Sequence, residues 1–325
     1  MQAFHLSQPT SLDAAVTAAS THGAKFIAGG TDLMQLLKDN VEAPTQVVDL
    51  EHVGLARIQV DSTGLRLEAM ARMSDVAAHP DVRAGWPVIA QALEASASPQ
   101  VRNMGTIGGN LLQRTRCGYF RDTGFNCNKR EPASGCPAIA GENRMLAILG
   151  GSDHCIATHA SDLAVALTAL DAVLELRRTG GAQRRVRITD FYHLPGNTPH
   201  IETVLEPGEM ITAIMVPDSA AARNSHYLKL RDRASFEFAL VSAAVALETR
   251  DGAVHDVRVA AGGVGTRPWR LPEVETALRG KRTDDATLHD VSARAGEGAR
   301  PATQNGFKQI LLRRAVLRAL QTVSA

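Results

Sequence analysis

The four cysteines of this 325-residue chain constrain its fold most, because they all fall in one short window. They are Cys117, Cys127, Cys136 and Cys155, with the spacing C-x9-C-x8-C-x18-C. Disulfides usually need an oxidising compartment, and structural zinc favours close pairs such as C-x2-C, which are missing here. An iron–sulfur cluster needs four thiolates, and its ligand spacing varies more. The spacing alone leaves zinc and an iron–sulfur cluster both open.

The residues around the cysteines favour a bound metal over inert buried thiols. Cations stabilise thiolates and offset the negative charge of a thiolate-ligated cluster. Cations in or beside the window include Arg114, Arg116, Arg121, Lys129 and Arg130. Six glycines in the same window permit a loop that wraps a cofactor. We interpret His154 and His159, which flank Cys155, as ordinary loop or partly buried residues rather than ligands.

The composition is that of an ordinary globular protein, with 44% hydrophobic and 21% charged residues. The formal net charge is +1 and aromatic residues make up 4%, so nothing favours nucleic acid or an acidic membrane as the main partner. The longest apolar candidate, residues 236–247, is too short to span a membrane. The first residues do not resemble a signal peptide. We therefore expect a cytoplasmic protein, or a periplasmic one that is co-exported with a signal-bearing partner.

Two glycine-rich segments could hold the diphosphate of a dinucleotide. The first glycine segment, residues 29–32 (GGTD), lies between a predicted strand at 24–28 and a predicted helix at 33–39. The second glycine segment, residues 105–110 (GTIGGN), adds Thr and Asn side chains. Glycine lets main-chain N–H groups converge on an anion with no Cβ in the way. Neither segment is G-x-G-x-x-G or a P-loop, and each alone is equally well explained as a tight turn.

The rest of the chain predicts mixed α and β structure without internal repeats. Helices are predicted at residues 11–20, 86–96, 162–170, 285–295 and 308–321. Hairpins are predicted around residues 61–64 and 180–181. Past Pro217 the pattern changes to long strands at 227–230, 239–249 and 254–260, with a turn at Asp251-Gly252. This change predicts a domain boundary near residue 220.

The two glycine segments in their context, KFIAGGTDL at 25–33 and TIGGNL at 106–111, resemble the FAD-binding medium subunit of the molybdenum hydroxylases. That family includes xanthine dehydrogenase, carbon monoxide dehydrogenase and aldehyde oxidoreductases. The resemblance covers essentially the whole chain and continues through SDL at 161–163, PGE at 207–209, KLR at 229–231 and GGV at 262–264. Most members run directly from the Gly-Gly-Asn motif to the Ser-Asp-Leu helix. Here an insert of about residues 113–158 separates the two motifs and holds all four cysteines.

The insert looks like the one in the FAD subunit of bacterial periplasmic aldehyde oxidoreductases, which carries a four-iron four-sulfur cluster. The matching pieces are LLQRTRC at 111–117, CNKR at 127–130, SGC at 134–136 and CIATH at 155–159. The resemblance therefore implies that Cys117, Cys127, Cys136 and Cys155 bind such a cluster. 4-Hydroxybenzoyl-CoA reductase has a comparable cluster-bearing subunit and is the competing relative.

The resemblance implies an α+β fold in three parts. Two FAD-binding subdomains of the vanillyl-alcohol-oxidase (PCMH) type occupy residues 1–55 and 56–219, and a C-terminal α+β domain occupies residues 220–325. Residues 26–33 would bind the pyrophosphate, residues 106–110 the phosphate and ribityl oxygens, Asp162 the adenosine side, and Ile211 and Lys229 the isoalloxazine. The full set of implied FAD contacts is Phe26, Ile27, Ala28, Gly29, Gly30, Thr31, Asp32, Leu33, Thr106, Gly108, Gly109, Asn110, Asp162, Ile211 and Lys229.

The implied function is electron transfer, with no catalytic residue in this chain. A large molybdopterin-binding partner would oxidise an aldehyde, and a small 2Fe-2S partner would pass the electrons through FAD in this chain to an external acceptor. The alternatives are a stand-alone flavin oxidase and a zinc-stabilised binding module without flavin. A Cys127→Ser variant is expected to lose iron but could retain FAD, because the glycine segments lie elsewhere in the sequence.

Overall fold

Three separate β-sheets organise the chain in the computed structural model, which describes residues 1–325. The strands are β1 His5–Ser7, β2 Ala24–Ile27, β3 Gln46–Asp49, β4 Ile58–Asp61, β5 Gly64–Glu68, β6 Val173–Arg177, β7 Gln183–Arg187, β8 Met210–Pro217, β9 Ser225–Leu230, β10 Val241–Arg250, β11 Ala253–Gly262 and β12 Trp269–Arg270.

Fourteen short or medium helices surround the sheets, and two 3-10 turns lie at Pro137–Ile139 and Thr179–Gly181. The α-helices are α1 Leu12–Ala19, α2 Leu33–Lys38, α3 Met73–Ala78, α4 Pro80–Gly85, α5 Pro87–Ala95, α6 Pro99–Met104, α7 Ile107–Leu111, α8 Gly118–Arg121, α9 Asp162–Ala169, α10 Ile188–Phe191, α11 Ala220–Arg223, α12 Pro272–Leu278, α13 Asp285–Ser292 and α14 Phe307–Ser324.

The first sheet is parallel, with the strand order β1-β3-β2. Ser11 begins α1 as predicted, since its side chain accepts a hydrogen bond from the N–H of Ala14. Val16 of α1 and Val48 of β3 lie in the core of this unit. The first glycine segment directly follows β2 and leads into α2, so the sheet fixes its entry point.

The second sheet is antiparallel, with the order β4-β5-β8-β6-β7, and shares its core with α5 and α9. Its middle strand, β8, is absent from the sequence predictions. All but two of its residues are buried, so it lacks the alternation of polar and apolar residues that marks a half-buried strand. The helix predicted at 86–96 is α5, which begins at Pro87 directly after Trp86. The separate short helix α4 before it was not predicted.

The third sheet has the order β12-β11-β10-β9 and packs against α14. Its strands follow the predicted positions, and Asp251 and Gly252 both have positive φ in the turn between β10 and β11. The core between sheet and helix includes Val245, Val259 and Leu320. Neither α14 nor any other helix combines the length and apolarity that a membrane crossing requires.

The insert has little regular structure, and a buried lysine is among the residues that fix it to the C-terminal part of the chain. The Nζ of Lys308, fully buried at the start of α14, donates to the carbonyls of Met145 (2.8 Å), Leu146 (3.1 Å) and Gly263 (2.7 Å). The Asn305 side chain adds hydrogen bonds to carbonyls of the same stretch of the insert. These contacts hold the last third of the insert against the third sheet.

A Lys308→Ala substitution would remove one hydrogen bond from each of three carbonyl groups and open a cavity. We expect it to lower the free energy of unfolding by about 3 kcal/mol, as measured by chemical denaturation. The matched control is Lys281→Ala at an exposed position, with an expected change below about 0.5 kcal/mol. Equal stability of the two variants would contradict this role for Lys308.

Candidate functional site

A cavity of about 910 Å³ lies where the first glycine segment, the second glycine segment and the second and third sheets meet. Its volume is at the upper end of the range for cofactor sites. Every residue that the sequence predicted as an FAD contact borders this cavity: Phe26, Ile27, Ala28, Gly29, Gly30, Thr31, Asp32, Leu33, Thr106, Gly108, Gly109, Asn110, Asp162, Ile211 and Lys229. The structure therefore brings together residues that are more than 200 positions apart.

The first glycine segment presents unpaired main-chain donors to the cavity. The N–H groups of Gly29, Gly30, Thr31 and Asp32 donate to no acceptor within the chain. Gly30 has a φ of +68°, which favours glycine. A Cβ on Gly29 would lie 1.9 Å from the carbonyl oxygen of Met104. Unpaired donors at the edge of a cavity fit the oxygens of a diphosphate, so FAD suits this segment.

The second glycine segment is partly helical, whereas the sequence predicted a glycine-rich loop. Thr106 begins helix α7, and its hydroxyl accepts a hydrogen bond from the N–H of Gly109. The N–H groups of Ile107 and Gly108 donate to the carbonyls of Ala71 and Ala69 (2.9 and 2.8 Å). Most main-chain donors of this segment are therefore already paired within the chain, two of them just after β5, and the segment offers its side chains to the cavity.

A buried ion pair joins two predicted FAD contacts. The Lys229 Nζ lies 2.8 Å from Asp162 Oδ2, and both side chains are almost fully buried. The resemblance had implied that Asp162 meets the adenosine side and Lys229 the isoalloxazine. Because they are in direct contact, the structure assigns both to the same part of the cavity. The charge of Lys229 is thus already paired before any cofactor is considered.

Two further residues, neither of them predicted from the sequence, complete this network. The Tyr227 hydroxyl donates to Asp162 Oδ1 (2.6 Å), and the Ser96 hydroxyl donates to Asp162 Oδ2 (3.0 Å). Burial, reinforced by the nearby Asp162, raises the pKa of Tyr227 well above its ordinary value, so its phenol stays protonated as a donor. The sequence did contain an indication for Tyr227. It lies two residues before Lys229 on one strand, so both side chains lie on the same face.

The four predicted metal ligands border a second, smaller cavity. Cys117, Cys127 and Cys155 are buried there, and Cys136 is half-buried. Burial raises the pKa of Cys117 to about 11 and also raises those of Cys136 and Cys155. A thiolate at these positions therefore needs nearby positive charge to stabilise it.

The cysteines are not grouped tightly enough for a single metal ion. No three His, Cys, Asp or Glu side chains come close enough together to ligate one ion. A tetrahedral zinc site would hold its sulfurs at about 2.3 Å from the metal. Main-chain N–H groups do reach the sulfurs, as at Cys155, whose Sγ accepts from the N–H of Ala157 (3.5 Å). Such N–H···S contacts are part of how proteins tune iron–sulfur clusters.

The two cavities share a wall made of Lys129, Cys155 and Ala157. The Lys129 Nζ donates to Glu202 Oε1 (2.6 Å) and to the carbonyl of Pro199 (2.9 Å). Its charge opposes the effect of burial on the pKa of Cys155. Groups bound in the two cavities would consequently lie on either side of a single layer of residues.

These features define a class of protein. It is a chain of mixed α and β structure with a cavity suited to an extended, diphosphate-containing cofactor. The family described as FAD binding domain in molybdopterin dehydrogenase matches residues 2–219, and the CO dehydrogenase flavoprotein C-terminal domain matches residues 225–323. The chain therefore belongs to the FAD-binding medium subunits of the molybdenum hydroxylases, which are oxidoreductase subunits.

The names of individual proteins that resemble this chain are consistent with this family. The aldehyde oxidoreductase FAD-binding subunit PaoB of Escherichia coli is 46% identical over 318 residues, covering 97% of this chain and 96% of PaoB. The glyceraldehyde dehydrogenase medium chain of Sulfolobus acidocaldarius is 28% identical, covering 86% and 82%. The solved CO dehydrogenase from Oligotropha carboxidovorans gives a TM-score of 0.78 at 24% identity, covering 99% of this chain and 98% of that chain, which shows the shared fold.

The comparisons confirm the predicted family, the α+β fold class and FAD as a cofactor. The roles of individual residues and the domain boundaries at 55/56 and 219/220 stay predictions.

A Gly29→Ala substitution tests the close approach of the first glycine segment to Met104. Its Cβ would collide with a main-chain oxygen, so the segment must shift and its N–H groups lose their alignment. We expect FAD affinity to fall about tenfold or more, measured by flavin fluorescence titration. The control is Gly85→Ala, where an added Cβ meets no atom within 4 Å. Wild-type affinity in Gly29→Ala would contradict the assignment.

Proposed function

We propose that this chain is the FAD and four-iron four-sulfur subunit of a molybdenum-containing aldehyde oxidoreductase. In this role it passes electrons from a molybdopterin-binding large subunit and a 2Fe-2S small subunit, through FAD, to an external acceptor. The observation that carries the proposal is the wall of Lys129, Cys155 and Ala157 between the FAD cavity and the four-cysteine cavity. Two redox groups separated by one layer of residues form a short electron-transfer step.

The donor set favours an iron–sulfur cluster over zinc in this proposal. Four thiols border one cavity, and no histidine or carboxylate joins them in a single-ion site. A cluster of several irons carries its thiolates further apart than one zinc ion does. The nearby cations Lys129 and Arg130 offset the negative charge that four thiolates bring. The Arg130 guanidinium also donates to the carbonyls of Tyr119 and Phe120, which keeps the loop around Cys117 and Cys127 folded.

The residues of this chain bind and position the cofactor rather than transform a substrate. FAD, when bound, supplies the two-electron chemistry that links a donor to an acceptor. The first glycine segment would hold the diphosphate, and the Asp162–Lys229 pair would contact the cofactor with its charges largely neutralised. The apolar residues of β8, including Ile211, would exclude water from the same cavity.

The partners are proposed from the relatives. PaoB is named as a subunit of an aldehyde oxidoreductase, and other relatives are named as medium chains of dehydrogenases. An enzyme with a medium chain has larger and smaller ones, which supports a molybdopterin-binding large subunit and a 2Fe-2S small subunit here. The compartment, periplasm by co-export or cytoplasm, stays a prediction.

Elemental analysis with a visible spectrum tests the cluster. The purified full chain is expected to contain about four irons, with flavin bands and a broad iron–sulfur shoulder. Cys127→Ser should lose most of the iron, because each thiolate anchors one corner of the cluster. Ser152→Ala, a control in the same insert, should keep it. Zinc in place of iron, or full iron content in Cys127→Ser, would refute the assignment.

Aldehyde turnover by the isolated chain tests whether the oxidising centre lies in a partner subunit. With an artificial electron acceptor the full chain alone is expected to show no aldehyde oxidation, because the oxidising centre belongs to a partner. Adding the partner subunits should produce it. Robust activity of the isolated chain would instead establish a stand-alone flavin oxidase.

A further inference from the structure

The last residue of the first glycine segment is bound to the insert. Asp32 Oδ2 accepts a hydrogen bond from the N–H of Arg114 (2.8 Å), and Asp32 Oδ1 accepts one from the Arg121 guanidinium (2.8 Å). The Arg116 guanidinium lies 3.1 Å from Asp32 Oδ1. All three partners lie in one stretch, residues 114–121, which we call the insert arm. More than 80 positions of sequence separate it from Asp32.

The insert arm is itself firmly held. The Arg121 Nε donates to the carbonyl of Thr115 (2.9 Å), so the arm is closed on itself. The Arg114 side chain forms ion pairs with Glu42 and Glu202. The Arg116 guanidinium, charged at neutral pH as in any arginine, faces Asp32. Asp32 and Arg121 are each only 17% exposed, which limits screening of their attraction by water.

The position of Asp32 matters because it ends the run of four unpaired N–H groups. A free carboxylate there would repel a diphosphate approaching the segment. Two guanidinium groups neutralise that carboxylate and fix its direction at the same time. Arg116 also borders the FAD cavity, so its charge acts on the cofactor side as well.

We propose that Arg116 and Arg121 of the insert arm are positioning residues for FAD: through Asp32 they hold the first glycine segment in its binding conformation. FAD binding and the folding of the cysteine-bearing insert are then linked. The arm contains Cys117, whose carbonyl accepts the N–H groups of Phe120 and Arg121 and so builds the turn that delivers Arg121 to Asp32. Only the link to iron rests on the proposed function.

This link changes the expectation for cysteine variants. From the sequence alone, FAD could be retained when a cysteine is lost, because the glycine segments lie elsewhere in the chain. They are distant in sequence but bonded to the insert in the structure. A cysteine variant that loosens the arm should therefore also loosen FAD.

The test is the rate of FAD release from the purified full chain, followed by the rise in free-flavin fluorescence after dilution. Arg121→Gln is expected to release FAD about tenfold faster, the effect of losing one charge-assisted hydrogen bond. The effects of Asp32→Asn and Arg121→Gln on the release rate should not add in the double variant, because the two residues share one contact. Arg121→Lys, which keeps the charge, should release FAD more slowly than Arg121→Gln does.

Arg144→Gln is the matched control. Arg144 also lies in the insert and also pairs with a distant aspartate, Asp232, but it contacts neither the first glycine segment nor the FAD cavity. Its FAD release should equal that of the wild type. Unchanged release in Arg121→Gln, or effects of Asp32→Asn and Arg121→Gln that simply add, would overturn the inference.

Cys117→Ser, with iron measured on the same sample, tests the link to the metal. We expect loss of iron together with faster FAD release. Wild-type FAD release in an iron-free Cys117→Ser chain would overturn the link. A wild-type chain without iron would refute the cluster proposal and leave the Asp32–Arg121 test fully valid, so the two failures are distinguishable.

Discussion

Four consecutive main-chain N–H groups without a partner, from Gly29 to Asp32, are the constraint on which the rest of the site depends. Unpaired donors are costly unless they meet water or a ligand, and these four border a large cavity. Gly29 passes against the carbonyl of Met104, where no Cβ fits. The first glycine segment thus packs closely against Met104 and presents its N–H donors to an anionic ligand.

The second constraint is charge. Asp32 would weaken an anion site, and the insert arm supplies the guanidinium groups that neutralise it. The same insert carries the four cysteines, and burial raises the pKa values of Cys117 and Cys155. Their thiolates therefore also need positive charge nearby. Cations from one stretch of chain therefore serve both cavities, and Lys129 and Cys155 stand in the wall between them. An electron-transfer subunit gains from this arrangement because its two redox groups are kept close and in fixed positions.

The sequence was sufficient for those parts of the site that consist of local patterns. The GGTDL and TIGGNL motifs and the four clustered cysteines all border the cavities to which they were assigned. Strand β8 was missed because a strand buried on both faces carries no alternation. The hydrogen bond from Arg121 to Asp32 could not be predicted, since no local rule relates residues 89 positions apart. The contact between Asp162 and Lys229 likewise follows from how α9 meets β9, which only the folded chain determines.

Hydrogen–deuterium exchange of the full chain with and without FAD tests the central claim most directly. Peptides covering Gly29–Asp32 are expected to exchange rapidly without FAD, because their N–H groups have no acceptor, and to become protected when FAD is bound. Peptides covering Ile107–Gly109 should be protected in both states, because their N–H groups already donate within the chain. Exchange at Gly29–Asp32 that does not change on FAD binding would contradict the account.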